Sequence, residues 1–268
     1  MIAIITGASS GIGREFAIQV DDLSYDQIWI IARRKDRLIE LKNQLKTKSK
    51  ILALDLLDRE SFLKISNEIE IANQKVGLLV NAAGVGFNDY FENVSLEENQ
   101  RMIDLNILAP TQLIKVILPY MAENSVIINV GSVAGFIPQP KFATYAASKS
   151  YLISLSRALN RELEGRKIHL TSLCPNPVAT EFCEIDKNGI KKYGTEDIHK
   201  LVARALKEAR YKDLITVHPS ARFMRLISKI IPHSFVMWLE RIFGMYWLKF
   251  KASVSFEVDL AVLIFRYY

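Results

Sequence analysis

Cysteine is nearly absent from this chain, with Cys174 and Cys183 the only two in 268 residues. Neither stands at metal-ligand spacing, and the four histidines (His169, His199, His218, His233) are scattered. A disulfide framework and a zinc site are therefore excluded, no metal is expected, and the chain reads as reduced and cytoplasmic. In the C-terminal tail no charge-free stretch approaches the ~20 residues that a membrane span needs. The first apolar run starts at Ile2, so no signal or transit peptide is expected. Low-complexity tracts, internal repeats and a compositional break are also missing, which leaves one substantial core as the economical organisation.

Acidic residues thin out toward the C-terminus. Residues 1–186 carry 20 basic and 22 acidic side chains, a balance of −2, whereas residues 187–268 carry 15 against 7, a balance of +8. Together these give the net charge of +6. This excess is read as a solvated face, and no nucleic-acid partner is expected.

What is present centres on Ser132 to Lys149, S-V-A-G-F-I-P-Q-P-K-F-A-T-Y-A-A-S-K. The β-branched run Val126, Ile127, Ile128, Val130 predicts a buried strand ending at Gly131-Ser132. Pro138 and Pro140 mark a loop, and a helix then carries Tyr145, Lys149 and Tyr151. Residues four apart share a helix face, so Tyr145 and Lys149 point at one place. A phenol titrates near 10, and an adjacent positive charge lowers that value toward the neutral range. Ser132 arrives from a strand end, where its hydroxyl can hold a carbonyl or alkoxide oxygen against the phenol. On these residues alone, Tyr145 and Lys149 equally fit an amphipathic face and Ser132 a turn.

The surrounding chain weighs against that alternative. Ile2–Ile5 predicts a short strand, followed at once by Thr6-Gly7-Ala8-Ser9-Ser10-Gly11-Ile12-Gly13 and a helix over about 11–20. Small residues between strand and helix let backbone N–H groups approach a pyrophosphate, which also gains from the helix N-terminus. The spacing G-x-x-x-G-x-G differs from the usual G-x-G-x-x-G. A second strand, Ile28–Ala32, ends at Arg33-Arg34-Lys35. An acid at that strand end would hold a free ribose 2′-hydroxyl, whereas arginine pairs with a 2′-phosphate, so Arg33 and Arg34 point to NADP(H). Further strands are predicted at Ile51–Leu54, Gly77–Val80, Ile168–Leu173 and Leu214–Val217, and helices near 36–46, 59–72, 97–118 and 145–162. This alternation predicts a doubly wound parallel sheet in a single Rossmann-like α/β domain. Gly7, Arg33, Asp55, Asn81 and Ser132 all fall at strand carboxyl ends, where ligands of such sheets bind.

Taken together, T-G-x-x-x-G-I-G, the strand-end arginine, Asp55, N-A-A-G at 81–84, Asn106, Ser132, Y-x-x-x-K and P-x-P-V-x-T at 175–180 resemble the short-chain dehydrogenase/reductase family in its NADP-preferring form. The resemblance covers about residues 1–217, and A-R-R-K-D-R-L is similar to a DltE-like bacterial subgroup. It implies that Tyr145 is the general acid-base, Ser132 orients the substrate oxygen, and Lys149 lowers the tyrosine pKa and bonds the nicotinamide ribose. Asn106 would support a water linking Lys149 to solvent. The cofactor would lie on Gly7, Ser9, Ser10, Gly11, Ile12 and Gly13, with Asp55 and Leu56 against adenine. Asn81, Ala82 and Gly84 would lie under its ribose region, and Pro175, Val178 and Thr180 at the carboxamide. Two departures stand out: Ala82 replaces an asparagine, and Asn176 replaces a glycine, at little cost even if the position requires positive φ.

The family's substrate cover would occupy residues 181–212, here polar and lysine-rich. Residues 218–268 form an extension whose apolar residues recur at helical spacing among basic ones and break at Pro232. It is expected to pack on the body or a dimer mate. A hydrophobic substrate mouth ranks second, and peripheral membrane contact through residues 221–250 third. The expected activity interconverts a small-molecule carbonyl, hydrophobic by weak preference, with an alcohol, in a homodimer or homotetramer. The alternative is a non-catalytic NADP(H)-binding or membrane-associated interaction protein.

Overall fold

The computed structural model describes residues 1–178, 180–181, 196–236 and 238. Seven parallel strands form one sheet in the order β3-β2-β1-β4-β5-β6-β7. They are β1 (Ile2–Thr6), β2 (Gln27–Ala32), β3 (Ser49–Ala53), β4 (Val76–Asn81), β5 (Met121–Val130), β6 (His169–Leu173) and β7 (Leu214–Ile215). The helices between them are α1 (Gly11–Val20), α2 (Lys35–Lys42), α3 (Glu60–Ala72), α4 (Leu96–Ile103), α5 (Ala109–Ile117), α6 (Ala143–Glu162) and α7 (Ile198–Glu208). The order reverses between β1 and β4, and the crevice above that point is where such sheets bind ligands.

The strands are apolar on both faces because helices cover both. Ala3, Ile5, Ile28, Ile30, Val80 and Ile128 share one core with Phe16 and Val20 of α1, Leu38 and Leu41 of α2, and Leu201, Val202 and Ala205 of α7. Ile4, Trp29, Ile31, Leu79 and Ile127 alternate onto the other face, with Phe62, Ile65 and Ile69 of α3 and Leu113, Ile114 and Ile117 of α5. Within 181–212, α7 packs in the helix layer beside α1. Residues 182–195 of that stretch, including Cys183, lie outside the described residues.

The single helix expected over 97–118 is also corrected. It splits into α4 and α5 around a π turn, Asp104–Leu108, centred on Asn106. Pro110 has no N–H to give the carbonyl four residues back, which is that of Asn106, so the regular ladder cannot run through.

The C-terminal extension begins with α8 (Pro219–Ile230). Met224 of α8 and Val236 beyond it bury against Ile137, with Phe136 and Ile231 packed alongside. Phe223, Leu226 and Ile230 face outward. Residues 237 and 239–268 of the extension lie outside the described residues.

Candidate active site

The glycine turn is shaped by close approach. Gly7 sits at φ +65°, and a Cβ there would lie 2.8 Å from the Ala82 carbonyl carbon and the Ala83 nitrogen. A Cβ on Gly13 would overlap the Gly7 carbonyl, and Gly11 has φ +53°. Both positive angles belong to the region that favours glycine. Thr6 locks this turn to the end of β4: its Oγ1 donates to the Val80 carbonyl (3.2 Å) and accepts from the N–H groups of Ala82 (3.1 Å) and Ala83 (3.3 Å). The result is a side-chain-free cradle at the N-terminus of α1, roofed by Thr180, whose Cγ2 lies 3.2 Å from where a Gly11 Cβ would be. Such a cradle fits a dinucleotide pyrophosphate.

The two strand-end arginines separate. Arg34 turns onto the glycine loop, donating to Ser9 Oγ (3.2 Å from Nε, 3.0 Å from Nη2) and Ser10 Oγ (2.8 Å). Its remaining amino group pairs with Glu181 (2.8 Å), which Arg37 also holds. Arg33 instead faces Asp55 at 3.8 Å. Arg34, Arg37, Ser9 and Ser10 thus gather at one corner of the glycine turn. The Leu56 side chain is buried in the core patch that includes Phe62, and the Asn81 side chain turns into the sheet, where it donates to Asn129 Oδ1 (2.8 Å).

At the ends of β5 and α6, Tyr145 and Lys149 lie one turn apart and both are buried. Lys149 Nζ donates to the Val130 carbonyl at 2.9 Å and sits 5.5 Å from the Tyr145 ring centre. Burial pushes the ammonium from an ordinary 10.5 down to about 8. Cys174, pushed up to about 12 by its own burial, remains a neutral thiol and offers no compensating charge at neutral pH. Ser132 Oγ accepts from the Ala134 N–H at 3.1 Å, which leaves its hydroxyl proton to donate. Phe142 stacks on Tyr145 with ring centres 4.2 Å apart, and Met102, Phe87 and Val94 extend this apolar wall.

Asn106 is clamped in the π turn. Its amide donates to the Val85 carbonyl (2.8 Å) and Ser148 Oγ (3.1 Å), while Oδ1 accepts from the Val85 N–H (3.0 Å). A Cβ on Gly84 would lie 3.1 Å from Asn106 Oδ1 and 3.5 Å from Lys149 Nζ, so Gly84, Asn106 and Lys149 converge.

The loop after β6 closes the site. The buried Pro175 accepts at its carbonyl from Val133 (3.1 Å), and Val178 bridges to Glu196. Glu196 takes the backbone N–H groups of Asn176 (3.3 Å) and His218 (2.8 Å). Asn176 is not among the residues with positive φ, so replacing glycine there strains nothing. Its side chain donates to Ser220 Oγ of α8 at 2.9 Å.

Several contributors were not singled out from sequence: Arg37, Glu181, Phe142, Ser148 and Glu196. Arg37 follows Arg34 at helical spacing, which is a usable signal. Glu181 and Glu196 join partners about 20 to 150 positions away, which no local pattern marks.

The short chain dehydrogenase family model matches residues 1–188. The very-long-chain 3-oxoacyl-CoA reductase of Rattus norvegicus is 27% identical over 268 residues, covering 96% of this chain and 80% of that protein. Sulfoacetaldehyde reductase 2 of Chromohalobacter salexigens is 32% identical over 194 residues, covering 70% and 77%. Among solved structures, a short-chain dehydrogenase from Sphingobium yanoikuyae in complex with NADPH superposes with a TM-score of 0.75 at 26% identity, covering 88% of this chain and 94% of that one. With the family model matching residues 1–188, the glycine cradle and the reversed sheet order, the chain belongs to the short-chain dehydrogenase family of alcohol/carbonyl oxidoreductases.

Proposed function

We propose that the protein is an NADP(H)-dependent reductase that uses Tyr145 as its general acid-base. The observation that carries this reading is a buried Lys149 with Nζ 5.5 Å from the Tyr145 ring and bonded to the Val130 carbonyl at the end of β5, the same strand end that delivers a donor-ready Ser132. In the reducing direction Ser132 donates a hydrogen bond to the carbonyl oxygen, and Tyr145 passes its hydroxyl proton to that oxygen as the C–O double bond is reduced. In the oxidising direction the tyrosine takes the proton back. When bound, the nicotinamide supplies or accepts the hydride. Lys149, while charged, favours the phenolate and so lowers the proton-transfer barrier near neutral pH. Asn106 holds the Val85 backbone and α6 in register beside Lys149 and is a positioning residue.

The 2′-phosphate site is assigned to Arg34, with Arg37, Ser9 and Ser10, while Arg33 covers the adenine side with Asp55. This reading rests on the guanidinium of Arg34 meeting both serine hydroxyls of the glycine loop. The apolar wall of Phe142, Phe87, Val94 and Met102 favours a carbonyl with a hydrophobic substituent. The experiment is a screen of NADPH consumption against 3-oxoacyl thioesters, aryl ketones and short charged aldehydes. Turnover of the first two classes above the third supports the reading. Turnover of charged aldehydes alone would overturn the hydrophobic assignment.

A further inference from the structure

Glu181 is the only carboxylate in the described contacts that meets both Arg34 and Arg37. Its position in the fold is informative, because it follows Thr180 on the β6 side of the crevice, whereas the arginines stand at the start of α2 on the β2 side. The pair of bonds therefore crosses the crevice above Ser9, Ser10 and Gly11. Arg37 and Arg34 hold the Glu181 carboxyl below the usual carboxylate range, so it is ionised at neutral pH. A carboxylate and a phosphate monoester present the same recognition chemistry to arginine, planar or tetrahedral oxygens accepting forked N–H donors.

We infer that Glu181 is an internal competitor for the cofactor's 2′-phosphate and so sets how strongly the enzyme discriminates NADP(H) from NAD(H). This inference rests on the assignment of Arg34 and Arg37 to the 2′-phosphate. Two anions cannot share the same guanidinium donors, so NADP(H) displaces Glu181 as it binds. A cofactor with a free 2′-hydroxyl brings no anion to this corner, and the arginines keep their carboxylate. Glu181 thereby weakens the phosphorylated cofactor selectively and spares the other from facing two unpaired cations. Ion pairs this exposed are individually weak, so the expected change is modest, about threefold to tenfold.

The test is a fluorescence titration of NADPH and NADH into wild type, Glu181→Gln, Glu181→Ala and Arg34→Ala. Both Glu181 substitutions should tighten NADPH about threefold to tenfold while moving NADH less than about twofold. If Arg34→Ala abolishes the NADPH advantage but the Glu181 variants shift neither cofactor, or both equally, Glu181 is not a competitor and only this inference falls. If wild type shows no NADPH advantage and Arg34→Ala changes nothing, the phosphate assignment itself falls and takes the inference with it.

Discussion

Lys149→Met should raise the stability of the protein at pH 7 while removing its activity. Methionine matches the length of the lysine stem without the charge. Bringing an ammonium from 10.5 to about 8 by burial means that the folded state carries the charge at a penalty of about 3 kcal/mol at pH 7, taking ~1.4 kcal/mol per tenfold. Losing the hydrogen bond from Nζ to the Val130 carbonyl costs about 1 kcal/mol in return. The variant is thus expected to be about 2 kcal/mol more stable than wild type at pH 7. The sign of its pH dependence follows from proton counting. Between pH 8 and 10.5 the unfolded lysine holds a proton that the folded one has released, so wild-type stability rises with pH across that window. By pH 10 the wild type should have recovered about 2–3 kcal/mol relative to the variant, leaving the two within about 1 kcal/mol of each other. Urea midpoints of both proteins at pH 7 and pH 10 give the comparison, with other titrating groups cancelling in the difference. A stability gap that does not change with pH would refute the reasoning, as would a variant less stable than wild type at pH 7.

Three further outcomes follow from the same geometry. Asn106→Ala removes three hydrogen bonds and strands the Val85 N–H and carbonyl, so it should cost about 2–4 kcal/mol in a urea titration, more than one buried polar group. Gly13→Ala places a methyl group on the Gly7 carbonyl and should weaken NADPH binding more than about tenfold, a loss of over ~1.4 kcal/mol read by fluorescence. In a Cys183→Ser background, Cys174 should resist a thiol reagent at pH 8 and react only after denaturation, because burial holds its thiol at about 12. Rapid labelling of the folded protein would contradict that environment.

The sheet was legible because its signals are local and repetitive. Runs such as Ile2–Ile5 and Val126–Val130 are apolar on both faces, and only a helix-covered parallel sheet accepts them at regular spacing. The pairing of Tyr145 with Lys149 was legible because one helix turn fixes their spacing in sequence. The π turn was harder to see: Pro110 stood inside the predicted helix, yet its effect depends on the carbonyl of Asn106 and on partners at Val85 and Ser148. The division of labour between Arg33 and Arg34 was not legible, since neighbouring residues at a helix start point in different directions and only the fold places Asp55 beside one and Ser9 and Ser10 beside the other. The place of α7 was not legible for a related reason: its buried face of Leu201, Val202 and Ala205 marks an amphipathic helix, and only the fold sets that face on α1.

The central claim, that Tyr145 moves the proton in a nicotinamide-dependent reduction, is tested most directly by Tyr145→Phe measured twice on one preparation. One measurement is turnover with the best carbonyl from the substrate screen, and the other is NADPH binding by fluorescence. The account predicts that turnover falls by about a hundredfold or more, the range expected for losing a general acid, while NADPH affinity stays within about twofold of wild type, a change below ~0.5 kcal/mol. Turnover that survives the loss of this hydroxyl would contradict it.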